Sequence, residues 1–187
     1  MENTQIRTAV VLCGGKGSRL GLLGKRIPKC LVEIQNHPII WYIINILRKN
    51  SFNHFILPIG YKGYMIKRFF KLNKTFKDLN IEIVETGFNT NIAKRIFLVK
   101  KKIISKNFLL LNGDAIFDFN LNKIYQQHDN KKIDMTFIGC ENQLAHGTVG
   151  IVNNKIVSFD RNITFNAVKV KNRNNFTAHV YSGTPIM

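Results

Sequence analysis

Apolar residues arrive along this chain in two rhythms. Thr8 to Cys13 (TAVVLC) is continuous, apolar and rich in β-branched residues, and it closes on Gly14-Gly15, as a strand buried on both faces does. A glycine-rich turn and a polar stretch lead to Pro28. Cys30 to Ile34 then predicts a short strand, and His37-Pro38 a turn. Ile40, Ile43, Ile44 and Leu47 fall at helical spacing and predict a helix over 39–49. Asn53 to Ile59 predicts the next strand, closed by Gly60, and a helix follows over 64–71. A strand over 81–84 and an amphipathic helix over 92–101 come next. Phe108 to Leu111 predicts another buried strand, ending at Asn112-Gly113-Asp114, before a helix over 121–129 and a strand over 134–140. Beyond it, Val149 to Val152 and Lys155 to Phe159 read as a hairpin about Asn153-Asn154, and the chain stays polar until Ala178 to Tyr181.

Strands alternating with helices predict an α/β fold: a Rossmann-like, three-layer, mostly parallel sheet with helices on both faces. Ligands of such sheets bind beyond the carboxyl ends of the strands. Gly14, Gly60 and Gly113-Asp114 all fall at such ends. At 187 residues the chain is expected to be one domain.

Composition changes this picture at one point. Hydrophobic content of 45% and charged content of 21% are ordinary, but the net charge is +17. That field favours an anionic partner, although a bias toward Lys, Asn and Ile in the coding sequence would fill solvated positions with Lys just as well. The densest basic run, Lys100-Lys101-Lys102, is short and lacks interleaved aromatics, so no nucleic-acid partner is expected. Cys13, Cys30 and Cys140 have no metal-ligand spacing and read as thiols of a reducing compartment. No basic-then-apolar leader and no membrane-length apolar run is seen, so the expected location is cytoplasmic with no membrane partner.

The turn Gly14-Gly15-Lys16-Gly17-Ser18-Arg19-Leu20 carries the chemistry. Glycines let a backbone turn tightly and offer N–H groups to a phosphate. Arg19 adds a planar donor fork, and Lys29, after Pro28, a mobile cation. The dinucleotide pattern GxGxxG fails at Leu20, and GxxxxGK[ST] has no match.

The stretch VVLCGGKGSRLGLLGKRIPKCLVEI resembles the N-terminal signature GGxGTRL…PK of sugar-phosphate nucleotidyltransferases, with Ser18 in place of Thr. Gly60-Tyr61-Lys62-Gly63-Tyr64, Val84-Glu85-Thr86-Gly87 and Lys94-Arg95-Ile96 are similar to the glucose-1-phosphate cytidylyltransferase branch. LLLNGDAIFDFNL resembles the second family signature, an acidic residue after a strand. The resemblance covers about residues 7 to 160.

The resemblance implies the glycosyltransferase-A-like version of the fold, with a nucleotide-binding core over about 7–140 and an incomplete sugar-binding part over about 141–187. It implies attack of a sugar 1-phosphate oxygen on the α-phosphorus of a nucleoside triphosphate, with CTP and glucose 1-phosphate the favoured pair. Leu12, Gly14, Gly15, Gly17, Ser18, Thr86 and Gly87 would bind the nucleotide. Arg19 would hold the leaving pyrophosphate, Lys29 would neutralise the reacting phosphates, and Asp114 would hold Mg²⁺. Asp160, Arg161 and His146 would meet the sugar phosphate. His128 reads instead as a solvated surface group, Asp118 as a turn or helix-cap residue, and Trp41 with the many Phe residues as core. Homo-oligomer formation is left open.

The chain departs from the family pattern in three places. Phe88-Asn89-Thr90-Asn91-Ile92-Ala93 stands where the cytidylyltransferase branch has Thr-Gly-Gly-Arg, which leaves GTP, dTTP and UTP open as donors. Asp160-Arg161-Asn162 stands where Glu-Lys-Pro is expected. A second metal-binding Asp would lie beyond Met187, so the chain is expected to be cut short. A non-catalytic, nucleotide-binding or regulatory protein is therefore the alternative reading.

Overall fold

The computed structural model describes residues 5–17, 20–130, 134–140, 148–160 and 180–186. The chain divides into two compact units, Met1–Thr136 with Gly183–Met187 and Phe137–Ser182.

The first unit begins with β1 (Thr8–Leu12), whose run of apolar side chains is buried. The polar stretch after it holds a five-residue helix that its composition does not announce, α1 (Leu22–Arg26). Its two leucines stay exposed, so no apolar stripe marks it. Gly24 packs on the Gly17 carbonyl so closely that a Cβ there would lie 2.3 Å from the oxygen.

The strand expected over 30–34 is mostly a turn. Pro28 enters it, and Leu31 N–H donates to Pro28 C=O (2.9 Å) and Val32 N–H to Lys29 C=O (3.1 Å), the spacing of a 3-10 helix. Only β2 (Glu33–Ile34) is extended, and it pairs antiparallel with β3 (His37–Pro38). His37-Pro38 is thus strand, and the turn is Gln35-Asn36, both at positive φ (46° and 67°).

The longer elements follow the apolar pattern closely. They are α2 (Ile39–Lys49), β4 (His54–Ile59), α3 (Gly63–Leu72), β5 (Asn80–Glu85), α4 (Ile92–Val99), β6 (Phe108–Asn112) and α5 (Leu121–Asn130). Ile40, Ile43, Ile44 and Leu47 of α2 are fully buried, as their spacing requires. Asn91 caps α4 by accepting from Lys94 N–H at 2.8 Å, and Asn120 caps α5 by accepting from Lys123 N–H at 3.0 Å. Asn120, not Asp118, therefore holds the cap.

The sheet order β5-β4-β1-β6 is parallel throughout. Thr8 faces His54 on one side and Phe108 on the other. Val10, Ile56 and Leu110, one from each neighbouring strand, form a cluster with Val99 of α4. Each such fully buried aliphatic side chain contributes roughly 1.5–3 kcal/mol. The chain runs outward from β1 through β4 to β5, then returns to the other side of β1 as β6. The order therefore reverses between β1 and β6, and a crevice opens at their carboxyl ends.

Two residues differ in burial from what the sequence leads one to expect. His128 is only 3% exposed, with Nδ1 2.9 Å from Thr136 Oγ1, because it lies on the inner face of α5. Trp41 is half-buried and stacks on exposed His37 at 4.0 Å instead of entering the core, and Phe88 and Phe97 are also exposed.

The strands β7 (Thr136–Cys140), β8 (Thr148–Val152) and β9 (Lys155–Asp160) follow. In the second unit, β8 and β9 form an antiparallel hairpin turning at Asn153-Asn154 (φ 48° and 60°). In the last strand, β10 (Val180–Ile186), Ile186 of the first unit pairs antiparallel with Leu109.

Candidate active site

At the switch point lies a cleft of about 890 Å³, walled by the loop after β1, the turn around Lys29, the segment 88–93 and the end of β6. Leu12, Gly14, Gly15, Gly17, Lys29 and Asp114, all expected site residues, line it together. Among the described residues its charged lining is Lys16, Lys29, Arg95 and Asp114, so cations outnumber anions.

Gly113 brings Asp114 to the cleft. A Cβ at position 113 would lie 2.7 Å from Cys13 Sγ and 3.0 Å from the Leu12 carbonyl, so β6 approaches β1 this closely only through glycine. Gly113 N–H donates to that carbonyl at 3.0 Å. The Asp114 carboxylate then pairs with Lys29 Nζ, both half-buried at the cleft wall. Below them lie Cys13 and Cys30, free and buried. The hydrogen bond with Cys30, then burial, push the Cys13 thiol well above its ordinary range, so it stays protonated and does not serve as a nucleophile.

Gly17 takes φ +62°, a left-handed conformation that favours glycine. Gly15 faces open space. Among the described residues, no acceptor pairs with the N–H groups of Gly15, Lys16 or Gly17. Lys16 Nζ lies over the Phe88 ring, 4.2 Å from its centroid, and the Tyr61 ring packs tilted against Phe88 with centroids 5.6 Å apart.

Thr86 and Gly87 do not line the cleft. Thr86 is 5% exposed, and its hydroxyl donates to Ile59 C=O at 2.8 Å while accepting from Arg95. Gly87, at φ +92°, turns the chain beside Gly60. Asp160 ends β9 in the second unit. Ser18, Arg19, His146 and Arg161 lie outside the described residues.

The cleft residue that sequence reasoning did not assign is Arg95. It is 5% exposed, and it donates to Ile59 C=O (3.1 Å), Gly14 C=O (3.1 Å) and Thr86 Oγ1. Burial pushes its guanidinium down from its ordinary value, with no carboxylate among the causes. The Lys-Arg-Ile resemblance was its only signal.

A family model for nucleotidyl transferases matches residues 8–160. The chain belongs to the nucleotidyl transferase family. Its curated relatives include a probable glucose-1-phosphate cytidylyltransferase of Bacillus subtilis, 34% identical over 81% of this chain and 67% of that protein. They also include the D-glycero-alpha-D-manno-heptose 1-phosphate guanylyltransferase of Aneurinibacillus thermoaerophilus, 30% identical over 81% of this chain and 66% of that protein. The chain thus spans about two thirds of the length of these relatives. HddC from Yersinia pseudotuberculosis, solved with GMP-PN, shares the fold at a TM-score of 0.69 and 22% identity, over 97% of this chain and 76% of that one. The α/β fold expected from the strand pattern, in the nucleotidyltransferase version that the resemblance implied, is therefore the fold found. The two curated relatives are sugar-1-phosphate nucleotidyltransferases by name, one a cytidylyltransferase and the other a guanylyltransferase.

Proposed function

We propose that this chain transfers a nucleotidyl group from a nucleoside triphosphate to a sugar 1-phosphate. The observation that carries the reading is the Lys29–Asp114 pair, set at the switch point opposite a glycine loop whose N–H groups meet no acceptor among the described residues. In the reaction, an oxygen of the sugar phosphate bonds to the α-phosphorus while the bond to pyrophosphate breaks. No protein nucleophile is involved, so catalysis consists of placing two anions in line and neutralising their charge. Lys29 turns from Asp114 to the reacting phosphates, the amides of Gly15 and Gly17 hold phosphate oxygens, and Arg19 receives the leaving pyrophosphate.

The cleft suits a hard divalent cation. Mg²⁺ is commonly held by one or two carboxylates together with substrate phosphates, and no cluster of three or more protein ligands is present among the described residues. Asp114 would hold Mg²⁺, which supplies further neutralisation of the phosphates when bound. Asp160, Arg161 and His146 would contact the sugar phosphate.

CTP with glucose 1-phosphate is the favoured pair, supported by the Bacillus subtilis relative. The guanylyltransferase relative, and a cleft wall of Phe88, Asn89 and Asn91 in place of a glycine pair, make GTP the nearest rival. A panel of nucleoside triphosphates against sugar 1-phosphates, read by pyrophosphate release, tests the reading. Release with one pair identifies donor and acceptor together. Nucleotide binding without release from any pair would favour the non-catalytic alternative, to which the single cleft carboxylate among the described residues also speaks.

A further inference from the structure

Arg95 carries a charge that its surroundings do not use. Its guanidinium acceptors are two backbone carbonyls and a hydroxyl, all neutral. Among the described residues no carboxylate lies within ion-pair distance of it. A guanidinium keeps its proton in a protein, and a buried charge without a counter-charge is costly. Tying strand ends together needs only donors, which a neutral amide would supply. The charge itself points to an anion, and the cleft that Arg95 lines is open to one.

The geometry says what Arg95 does there. The Gly14 carbonyl accepts from Tyr61 N–H at 3.3 Å and from Arg95 Nη2 at 3.1 Å, so both of its lone pairs are engaged. The next peptide N–H, that of Gly15, lies in the same trans plane and points the opposite way. It meets no acceptor among the described residues. A Cβ on Gly14 would lie 2.2 Å from Arg95 Cζ, and one on Gly60 would lie 2.8 Å from Nη2. A Cβ on Gly15 would touch nothing within 4 Å. Gly14 and Gly60 are therefore glycines that admit Arg95, while Gly15 belongs to the ligand side.

We propose that Arg95 is the positioning residue of the phosphate-binding loop: it clamps the Gly14 carbonyl so that the Gly15 amide faces the cleft, and its unpaired charge beneath the floor favours a polyphosphate. Only the identity of that polyphosphate, as part of a nucleoside triphosphate, rests on the proposed function. The test is titration calorimetry of the full chain with inorganic tripolyphosphate at low and high salt, on the parent and on Arg95→Met, Arg95→Lys and Gly14→Ala, with unfolding midpoints measured alongside. Arg95→Met should bind at least about tenfold more weakly, the size of one lost hydrogen bond to a charged group, and with a shallower salt dependence. Arg95→Lys should restore the salt dependence without the full affinity, because one ammonium cannot hold the same acceptors in a fork. Gly14→Ala should weaken binding by displacing the guanidinium.

Unchanged affinity and salt dependence in folded Arg95→Met would overturn the assignment, even with a lowered midpoint. If that variant does not fold, parental affinity in Arg95→Lys overturns it instead. No tripolyphosphate binding by the parent would do the same. Binding that behaves as expected, with no turnover of any nucleotide and sugar phosphate, would sink the proposed function and leave the role of Arg95 standing.

Discussion

The two ends of one sheet hold polar groups in opposite ways. At the amino end, Thr8 of β1, His54 of β4 and Glu82 of β5 form a closed chain. His54 Nδ1 lies 3.0 Å from Thr8 Oγ1, and Nε2 lies 3.1 Å from Glu82 Oε1, whose other oxygen accepts from Lys102. The carboxylate can only accept, so Nε2 carries the proton. At the carboxyl end, the same strands run out into Gly14, Gly60 and Thr86, and the groups exposed above them are loop amides, Lys16, Lys29 and Asp114. Among the described residues no buried side-chain nitrogen or oxygen lacks a partner. The difference lies in which groups the protein completes by itself. A Thr-His-Glu constellation resembles catalytic machinery by its residue types, yet Thr8 and His54 are buried and each member is paired within the protein. The cleft holds less familiar residues, and their amides are left for a ligand.

Substituting one residue at each end of the sheet should separate catalysis from stability. Lys29→Met should lower the rate of pyrophosphate release by about 10²–10³, the effect of removing one electrostatic donor from a transition state. Its unfolding free energy should change by less than about 1 kcal/mol, because the ion pair with Asp114 is half-exposed. Steady-state assay and urea titration together check this. His54→Ala should do the reverse, destabilising the fold by about 1–3 kcal/mol through the partners left unsatisfied, with turnover by the folded protein unaltered. A large loss of turnover in folded His54→Ala would mean that the amino end is not merely structural.

Acid sharpens the contrast further. The Lys102 hydrogen bond, then that of His54, holds the Glu82 carboxyl below its ordinary range against the opposing effect of burial. Its folded value is depressed, so its contribution is complete above the unfolded carboxylate value of about 4.3 and is lost as pH falls through the folded value. Urea midpoints measured from pH 6 down to about pH 3 should therefore fall less steeply in Glu82→Gln than in the parent. Parallel pH profiles would contradict the network. The smallest effect is expected away from both ends. Arg48→Ala, which breaks an exposed pair with Asp78 at 2.7 Å, should shift stability by about 0–1 kcal/mol and leave activity alone.

The sequence made the sheet legible because burial repeats. Val10, Ile56 and Leu110 each sit inside an unbroken apolar run, and the α2 isoleucines return at helical spacing. Glycine followed by Asp or Lys at the strand ends marked the cleft for the same reason: the fold type dictates where such strands stop. What stayed illegible depends on contacts between distant residues. Arg95 carries only the Lys94-Arg95-Ile96 likeness and no role until Gly14 and Gly60 are seen to make room for it. Thr86 reads as a cleft residue until its hydroxyl is found engaged by Arg95 and Ile59. His128 looks exposed by composition, although α5 turns it inward toward Thr136. α1 is too short to carry any periodic signal, and its two leucines face outward.

If the carboxyl end of this sheet performs nucleotidyl transfer, the reaction depends on Asp114. The most direct measurement is pyrophosphate release with Mg²⁺, a nucleoside triphosphate and a sugar 1-phosphate, for the parent chain and for Asp114→Ala, with urea unfolding of both as control. Release by the parent with at least one pair is expected, with loss of that release in an Asp114→Ala protein that remains folded. Release that survives Asp114→Ala at the parental rate would contradict the assignment of the reaction to this cleft.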